Sequence, residues 1–129
     1  GKAGTETPTG TWTMHRAGRW QELMGPSWGQ YGTHVVNGIF VHSVACGQAN
    51  SYNLPVGEYL RLGNPASHGC IRACVADAKW VWDNCNGSKI RIFDGTYTSN
   101  EALKGPLGRK ALTPLRGSKN FDPTDPACK

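Results

Sequence analysis

One cysteine lies in a short polar segment whose residue types favour nucleophilic chemistry. Cys70 is the fourth residue of segment 67–72, Ser-His-Gly-Cys-Ile-Arg, directly ahead of a predicted helix. The positive end of a helix, together with His68 and Arg72, would favour the thiolate over the thiol. Gly69 would allow a tight backbone turn beside the sulfur, and the N–H groups of Gly69 and Cys70 could receive an oxyanion. The segment therefore predicts a reactive cysteine beside an anion-binding backbone.

A cysteine that attacks an amide needs a base, and the chain has four histidines. His42 stands at the end of a predicted strand, which can hold an imidazole rigidly. His68 is too close to Cys70 in sequence for the two side chains to meet across a tight turn. His15 and His34 have no companion residues that recommend them. We therefore predict that His42 is the base for the Cys70 nucleophile.

Zinc binding is the competing use of these residue types. His68, Cys70 and Cys74 could supply three ligands, and His42 would have to complete the set. Structural zinc sites, however, prefer paired Cys-x₂₋₄-Cys clusters from two segments, and here a lone His42 would have to act as the second segment. No metal and no cofactor are predicted.

The Asn-Gly pair at positions 37–38 is the strongest local structural signal. It stands between two β-branched runs, and a type I′ hairpin turn needs the positive φ angles that Asn and Gly tolerate. The simplest pairing places Val36 opposite Ile39 and Thr33 opposite His42. One face of the hairpin would then carry Thr33 and His42 with Tyr31, Val35, Phe40 and Val44.

The remaining patterns predict a mainly β, mostly antiparallel domain with one helix. Alternation indicates further strands over residues 11–15, 19–24 and 88–94. Residues 47–65 are interpreted as a polar loop. Apolar residues at helical spacing predict a helix over 73–84, which Asn86-Gly87 would end. Trp80 and Val81 would bury this helix in the core and so anchor the cysteine loop.

Composition and charge narrow the class of protein. The chain has 129 residues, 17 Gly, 8 Pro, a hydrophobic fraction of 38% and a net charge of +5. Because basic and aromatic residues do not interleave on one element, no nucleic-acid partner is predicted. Residues 1–95 are predicted to form the main domain, and residues 96–129 a Pro- and Gly-rich tail packed on it. Neither a signal peptide nor a run of about 20 apolar residues is visible in this sequence.

Four short segments carry a family resemblance. They are residues 67–72 (SHGCIR), 40–43 (FVHS), 7–12 (TPTGTW) and 77–80 (DAKW). Together they resemble the catalytic domain of the L,D-transpeptidases, the YkuD-like family, from about residue 7 to residue 94. The resemblance implies a β-sandwich-like fold with one helix following the catalytic cysteine. Since family domains usually begin with one or two strands before the TPTG turn, we expect this chain to lack an edge or core strand.

The resemblance also implies a reaction and a set of site residues. Peptidoglycan would be cross-linked through a cysteine acyl-enzyme, with release of a terminal D-alanine and formation of a 3→3 link. The catalytic residues carried over are Cys70 as nucleophile, His42 as proton donor and acceptor, Ser43 steadying His42, and Gly69 with Cys70 forming the oxyanion hole. The substrate-binding residues carried over are Ser67, His68 and Arg72. Tyr31 is added as a possible border of the donor groove, with a place in the core or on the surface as the alternative.

The same resemblance implies partners and a location. The donor and acceptor would be tetrapeptide stems of peptidoglycan, and carbapenem β-lactams would acylate Cys70. We expect a monomer that acts outside the cell, at the cell wall. Two alternatives stay open: an L,D-carboxypeptidase in which water replaces the acceptor amine, and a non-catalytic wall-binding module.

Five cysteines leave one unpaired if the others form bridges. A helix over 73–84 would hold Cys74 and Cys85 about 16 Å apart, whereas a disulfide spans at most ~7 Å between Cα atoms. Pairing of Cys46 with Cys74 and of Cys85 with Cys128 is preferred, because the first bridge would clamp the two catalytic segments together. Pairing of Cys46 with Cys85, or reduced thiols, stays open.

Overall fold

A computed structural model describes residues 1, 3–62, 67–93 and 121–128. Eight strands and two helices follow one another: β1 (Gly10–Thr13), β2 (His15–Arg16), β3 (Trp20–Leu23), β4 (Ser27–Gln30), β5 (Thr33–Val36), β6 (Ile39–Ser43), α1 (Val56–Leu60), β7 (Ile71–Ala73), α2 (Val75–Asn84) and β8 (Lys89–Ile92). The strands form a four-stranded sheet ordered β2-β5-β6-β7 and two pairs, β1-β8 and β3-β4. The predicted mainly β, sandwich-like class is confirmed. Neither helix in these ranges is long and apolar enough to cross a membrane.

The β5–β6 hairpin forms as predicted, but its register differs from the simple pairing. Val36 lies opposite Ile39, and an irregularity between His34 and Val36 then shifts the pairing by one residue. Thr33 consequently lies opposite Val41, so the predicted pairing of Thr33 with His42 is wrong. A shift of one residue exchanges the two faces of a strand. His42 follows Val41 directly in β6, so strand alternation points its side chain to the opposite face.

The turn and the predicted hairpin face also differ from expectation. Asn37 has a φ of 49°, but Gly38 is not in the left-handed region, so the two-residue type I′ turn is not formed. Val35 packs with Val41 and Met14 in one core cluster. Tyr31 and Val44 belong to two other clusters. The side chains expected on one face are thus divided among separate parts of the core.

Strand β7 joins β6 in parallel, which the sequence did not indicate. The paired residues are Val41 with Ile71, His42 with Arg72, and Ser43 with Ala73. The predicted helix over 73–84 therefore begins only at Val75, although it ends at Asn84 as expected. The pairing brings the segment of the predicted base and the segment of the predicted nucleophile into neighbouring strands.

Helix α2 buries a different tryptophan from the one predicted. Trp80 is 62% exposed, so its predicted place in the core is wrong. Val75 and Ala78 are buried, and Trp82 packs against the same cluster. Trp82 follows Ala78 by four residues and lies on the same helical stripe, whereas Trp80 follows it by two and lies on the opposite side.

Two segments for which the sequence predicted no helix or strand contribute buried side chains to the fold. The short helix α1 lies within the predicted polar loop and buries Tyr59 completely beside Val44 and Leu54. Near the C-terminus, Phe121 is buried and packs edge-on to Tyr52, with ring centroids 5.7 Å apart. The rest of the predicted tail, and the last residue of the predicted strand 88–94, lie outside the described residues. The domain boundary at residue 95 and the missing first strands stay predictions.

Candidate active site

Cys70 directly precedes β7 and is held by the β5–β6 hairpin. Its Sγ accepts a hydrogen bond from the Phe40 N–H at 3.4 Å, and the thiol donates to the Gly38 carbonyl at 3.5 Å. Helix α2 begins five residues later, at Val75, with Cys74 as its N-cap. The prediction that a helix N-terminus activates Cys70 is therefore wrong. A strand, and not a helix, positions the sulfur.

Partial burial decides the protonation state of Cys70. Burial raises the pKa of the Cys70 thiol above its ordinary value, while the Phe40 N–H and the Arg72 charge lower it by less. The resting group at neutral pH is therefore the thiol, and the predicted resting thiolate is wrong. A base must remove the thiol proton when the sulfur attacks.

His42 is a buried imidazole whose orientation is fixed by its own strand. It is 2% exposed, and Nδ1 hydrogen-bonds to the main-chain carbonyl of Ser43. Because a carbonyl only accepts, Nδ1 carries the proton and Nε2 is left as the basic nitrogen. Burial lowers the pKa of His42 to about 4, and the Arg72 charge acts in the same direction. His42 is thus a neutral base at pH 7.

The parallel pairing of β6 and β7 brings the segments of the two predicted catalytic groups side by side. His42 lies opposite Arg72 on the neighbouring strand, and Cys70 precedes Arg72 by two residues, directly ahead of β7. The charge of Arg72 lowers the pKa of both His42 and Cys70. Among the described contacts of Cys70, the sulfur is engaged by the hairpin backbone, at the Phe40 N–H and the Gly38 carbonyl.

Gly29 on β4 forms a wall against the imidazole, and the sequence did not single it out. A Cβ at this position would lie 2.7 Å from Nδ1 and 2.9 Å from Cγ of His42. Real Cβ atoms do not approach other atoms this closely, so only glycine fits here without displacing the ring. An isolated glycine within a strand is the one sequence signal for such a close approach.

Replacing Gly29 by alanine is expected to displace the His42 ring and slow the chemistry of Cys70 by about 100-fold, the cost of an error of about 1 Å in a catalytic group. The measurement is the alkylation rate of Cys70 by iodoacetamide at pH 6, with the folded state checked by circular dichroism. Gly57→Ala is the control, because a Cβ there meets nothing within 4 Å. Equal alkylation rates for both variants would contradict the contact.

The loop before Cys70 is held by hydrogen bonds within itself. Ser67 is 5% exposed; its hydroxyl donates to the Cys70 carbonyl at 2.6 Å and accepts the Gly69 N–H at 3.2 Å. The Gly69 N–H, one of the two predicted oxyanion donors, is therefore engaged inside the loop. Gly69 has a φ of +125°, and a Cβ would lie 2.7 Å from Cδ1 of Ile39, so glycine is required.

Two threonines near the N-terminus support this loop and were not predicted. The Thr5 hydroxyl donates to the Ser67 carbonyl at 3.0 Å, and the Thr7 hydroxyl donates to the Gly69 carbonyl at 2.7 Å. Both contacts span 62 residues of sequence, so no local pattern could have revealed them.

The predicted substrate-binding residues occupy different environments. Arg72 donates to Glu58 of α1 at 2.7 Å, and Glu58 also lies 3.6 Å from Arg61. His68 is exposed beside the Cys70 loop. The Ser67 hydroxyl is engaged in hydrogen bonds within the loop before Cys70, as described above. Because α1 was not predicted, the ion pair that holds Arg72 was not predicted either.

Tyr31 is not brought to Cys70. Its side chain is 6% exposed and packs edge-on to Trp82, with ring centroids 5.5 Å apart. The Arg19 guanidinium lies 4.0 Å from the centre of the Tyr31 ring. The structure thus places Tyr31 in the core cluster of α2, which was the stated alternative.

The cysteines are free in the described part of the chain. Neither of the preferred bridges, Cys46 with Cys74 or Cys85 with Cys128, is therefore formed. Burial raises the pKa of Cys46 to about 11, so this thiol is protonated and unreactive. Among the described residues no group of three or more His, Cys, Asp or Glu side chains could hold a metal ion.

Comparison with known proteins identifies the class. The family model of the L,D-transpeptidase catalytic domain, YkuD, matches residues 1–110, and the chain belongs to this family. The resemblance seen in the sequence is thereby confirmed.

Two relatives illustrate the similarity. The chain is 59% identical over 27 residues to the "Putative L,D-transpeptidase YciB" of Bacillus subtilis (strain 168), a match that covers 21% of this chain and 14% of that protein. It also resembles the crystal structure of a fused Zn-dependent amidase/peptidase/peptidoglycan-binding domain-containing protein from Clostridium acetobutylicum ATCC 824. That likeness has a TM-score of 0.51 and 26% identity, and covers 72% of this chain and 37% of the other. The chain therefore spans well under two thirds of either relative.

Proposed function

We propose that this chain is a cysteine-dependent L,D-transpeptidase domain that forms 3→3 cross-links in peptidoglycan. The observation that carries the proposal is the parallel pairing of β6 with β7, which sets the strand of His42 beside the strand that follows Cys70, with the proton of His42 held on Nδ1. Nε2 is thereby left free to exchange a proton with the sulfur. Membership of the L,D-transpeptidase family supplies the class of substrate.

The first half-reaction makes a thioester. The Cys70 sulfur attacks the carbonyl carbon of the L,D-peptide bond in a tetrapeptide stem while Nε2 of His42 takes the thiol proton. The tetrahedral intermediate collapses, the C–N bond breaks, and the imidazolium gives its proton to the leaving amine of D-alanine. The Cys70 N–H is the candidate oxyanion donor that remains once Gly69 is engaged by Ser67.

The second half-reaction forms the cross-link. The side-chain amine of a diaminopimelate residue in a neighbouring stem attacks the thioester, and His42 accepts its proton. The new amide forms as the C–S bond breaks, and the proton passes from the imidazolium to the departing Cys70 sulfur. Arg72 lowers the cost of negative charge on the sulfur throughout, since its charge already lowers the pKa of the thiol.

The proposal also assigns a setting. The substrate places the chain outside the cell, at the cell wall, where it would act as a monomer. A net charge of +5 suits an anionic wall. Because carbapenems present a strained amide to a nucleophile, they are proposed to acylate Cys70 in place of the stem.

The test uses purified disaccharide-tetrapeptides and mass spectrometry of the products. We expect a dimer lighter than two monomers by one D-alanine, with fragmentation placing the new bond between two diaminopimelate residues. A disaccharide-pentapeptide is the control donor and should yield no such dimer. Exclusive release of tripeptide would favour the carboxypeptidase, and an unchanged substrate would favour a binding module.

A further inference from the structure

The C-terminal segment 121–128 lies outside the residues matched by the family model, yet it contains two deeply buried carboxylates. Asp122 is 2% exposed and Asp125 is 3% exposed. Burying a carboxylate is costly unless hydrogen bonds compensate for the lost water. Each of these side chains therefore needs partners, and the partners show what the segment does.

Asp122 caps helix α2 from a distance in sequence. Its Oδ2 accepts the Val75 N–H at 2.9 Å, and its Oδ1 accepts the Thr124 N–H at 2.7 Å. The Thr124 hydroxyl in turn accepts the Ala76 N–H at 3.1 Å. Cys74, the residue at the N-cap, makes no side-chain cap of its own. Asp122 thus replaces a local cap, which is a structural role.

Asp125 has a different partner, on the strand that faces His42. Its Oδ2 accepts a hydrogen bond from Nε2 of Gln30 at 3.0 Å. Gln30 is 3% exposed, and its Oε1 accepts from Arg19 at 2.9 Å, so both ends of the amide are fixed. The Gln30 main-chain N–H donates to the Ser43 hydroxyl at 2.8 Å.

Gln30 and Gly29 together connect Asp125 to the imidazole. Gly29 forms the wall against the His42 ring, and Gln30, the next residue, holds Ser43. Ser43 provides the carbonyl that keeps the proton on Nδ1 of His42. Strand β4 therefore contacts His42 through Gly29, and it contacts Ser43, the hydrogen-bond partner of His42, through Gln30. Asp125 anchors the side chain at the end of this strand.

We propose that Asp125 is a positioning residue, which holds β4 through Gln30 and thereby sets the orientation of His42 relative to Cys70. The inference rests on the proposed function in one respect, the use of His42 as the base. It gives the C-terminal segment a part in the chemistry although no atom of that segment touches Cys70 in the described contacts. Asp122, equally buried in the same segment, is the matched residue without this connection.

The test compares Asp125→Ala with Asp122→Ala by three measurements. These are kcat and KM with the disaccharide-tetrapeptide, the rate of Cys70 alkylation by iodoacetamide from pH 5 to pH 10, and thermal unfolding. For Asp125→Ala we expect kcat to fall about 10- to 100-fold with KM nearly unchanged. Its alkylation should fall at pH 6, and the deficit should narrow as the pH rises, because more of the thiol then ionises without a base. Asp125→Asn keeps an oxygen acceptor for Gln30 and should restore most of both.

Asp122→Ala should lower the unfolding temperature and leave the alkylation profile of the folded protein unchanged. If Asp125→Ala does not fold, Gln30→Met is tested in its place. This variant removes the amide that Asp125 holds, so it should show the same altered pH profile of Cys70 alkylation. An unchanged profile in Asp125→Ala or Gln30→Met, or equal profiles in the two aspartate variants, overturns the proposal. If the unmodified chain makes no cross-link but Asp125→Ala still alters alkylation, the proposed function fails and the positioning role stands.

Discussion

Cys70→Ala is expected to abolish cross-link formation, with turnover falling by at least about 10⁴-fold, because loss of the nucleophile removes the covalent route. The fold should survive, since the side chain is only partly buried and its hydrogen bonds go to two backbone groups of the hairpin. Intact mass after incubation with a carbapenem provides the measurement. The unmodified chain should gain the mass of one inhibitor, and the variant should gain none.

Cys74→Ala is the matched control for this experiment. Cys74 lies four residues further along the chain, at the N-cap of α2, where its side chain makes no cap hydrogen bond. It should therefore keep both the adduct and the cross-link. Turnover by Cys70→Ala, or an adduct on another cysteine, would remove Cys70 from the mechanism.

His42→Gln should have the second largest effect. Glutamine can still donate to the Ser43 carbonyl, but it has no basic nitrogen to accept the thiol proton. Acylation of Cys70 by a carbapenem at pH 7 is expected to fall by about 10²- to 10⁴-fold, the usual contribution of a positioned base. His15→Gln is the control, because His15 is exposed on β2. An undiminished rate in His42→Gln would move the base elsewhere.

The dependence of the rate on pH follows from the pKa shifts of His42 and Cys70. Because the pKa of His42 is lowered to about 4, the unmodified chain should lose activity only as the pH falls through about 4. Burial raises the pKa of Cys70, so without a base the thiolate forms only at high pH. The rate of His42→Gln should therefore rise steadily with pH, and its gap to the rate of the unmodified chain should narrow at alkaline pH.

The lowered pKa of His42 also makes the free energy of unfolding depend on pH. A buried imidazole whose pKa lies below the unfolded value of about 6.5 contributes stability that is complete above that pH. This contribution is lost as the pH falls from about 6.5 to about 4, where the folded protein must bury a charged ring. Urea unfolding at pH 7 and pH 4.5 should show this loss, and His42→Gln should show less of it.

The local patterns were sufficient where chemistry or structure depends on neighbouring residues. The Asn-Gly turn located the β5–β6 hairpin, and apolar spacing located α2 to within two residues. The choice of Cys70 and His42 needed only a polar segment, a strand-borne histidine and a family resemblance. The short helix α1 was missed because five residues carry too little periodicity to stand out.

Contacts between residues that are distant in sequence account for the differences between the predicted and the observed structure. One irregularity in β5 placed Val41, and not His42, opposite Thr33, and the sequence has no mark of it. The wall at Gly29 and the anchor at Asp125 depend on strands and segments that are distant in sequence. The protonation state of Cys70 followed burial, which outweighed the neighbouring charge on which the sequence argument relied.

The sequence by itself located the hairpin and the main helix and led to the prediction of Cys70 and His42 as the reactive pair, because each of these features rests on residue types within one short segment. Only the tertiary structure decided how the pair is arranged. The parallel pairing of β6 with β7 brings the segments of Cys70 and His42 side by side, and burial keeps both groups neutral at rest. The physical reason is that the register between strands and the exclusion of water are properties of the whole packed domain.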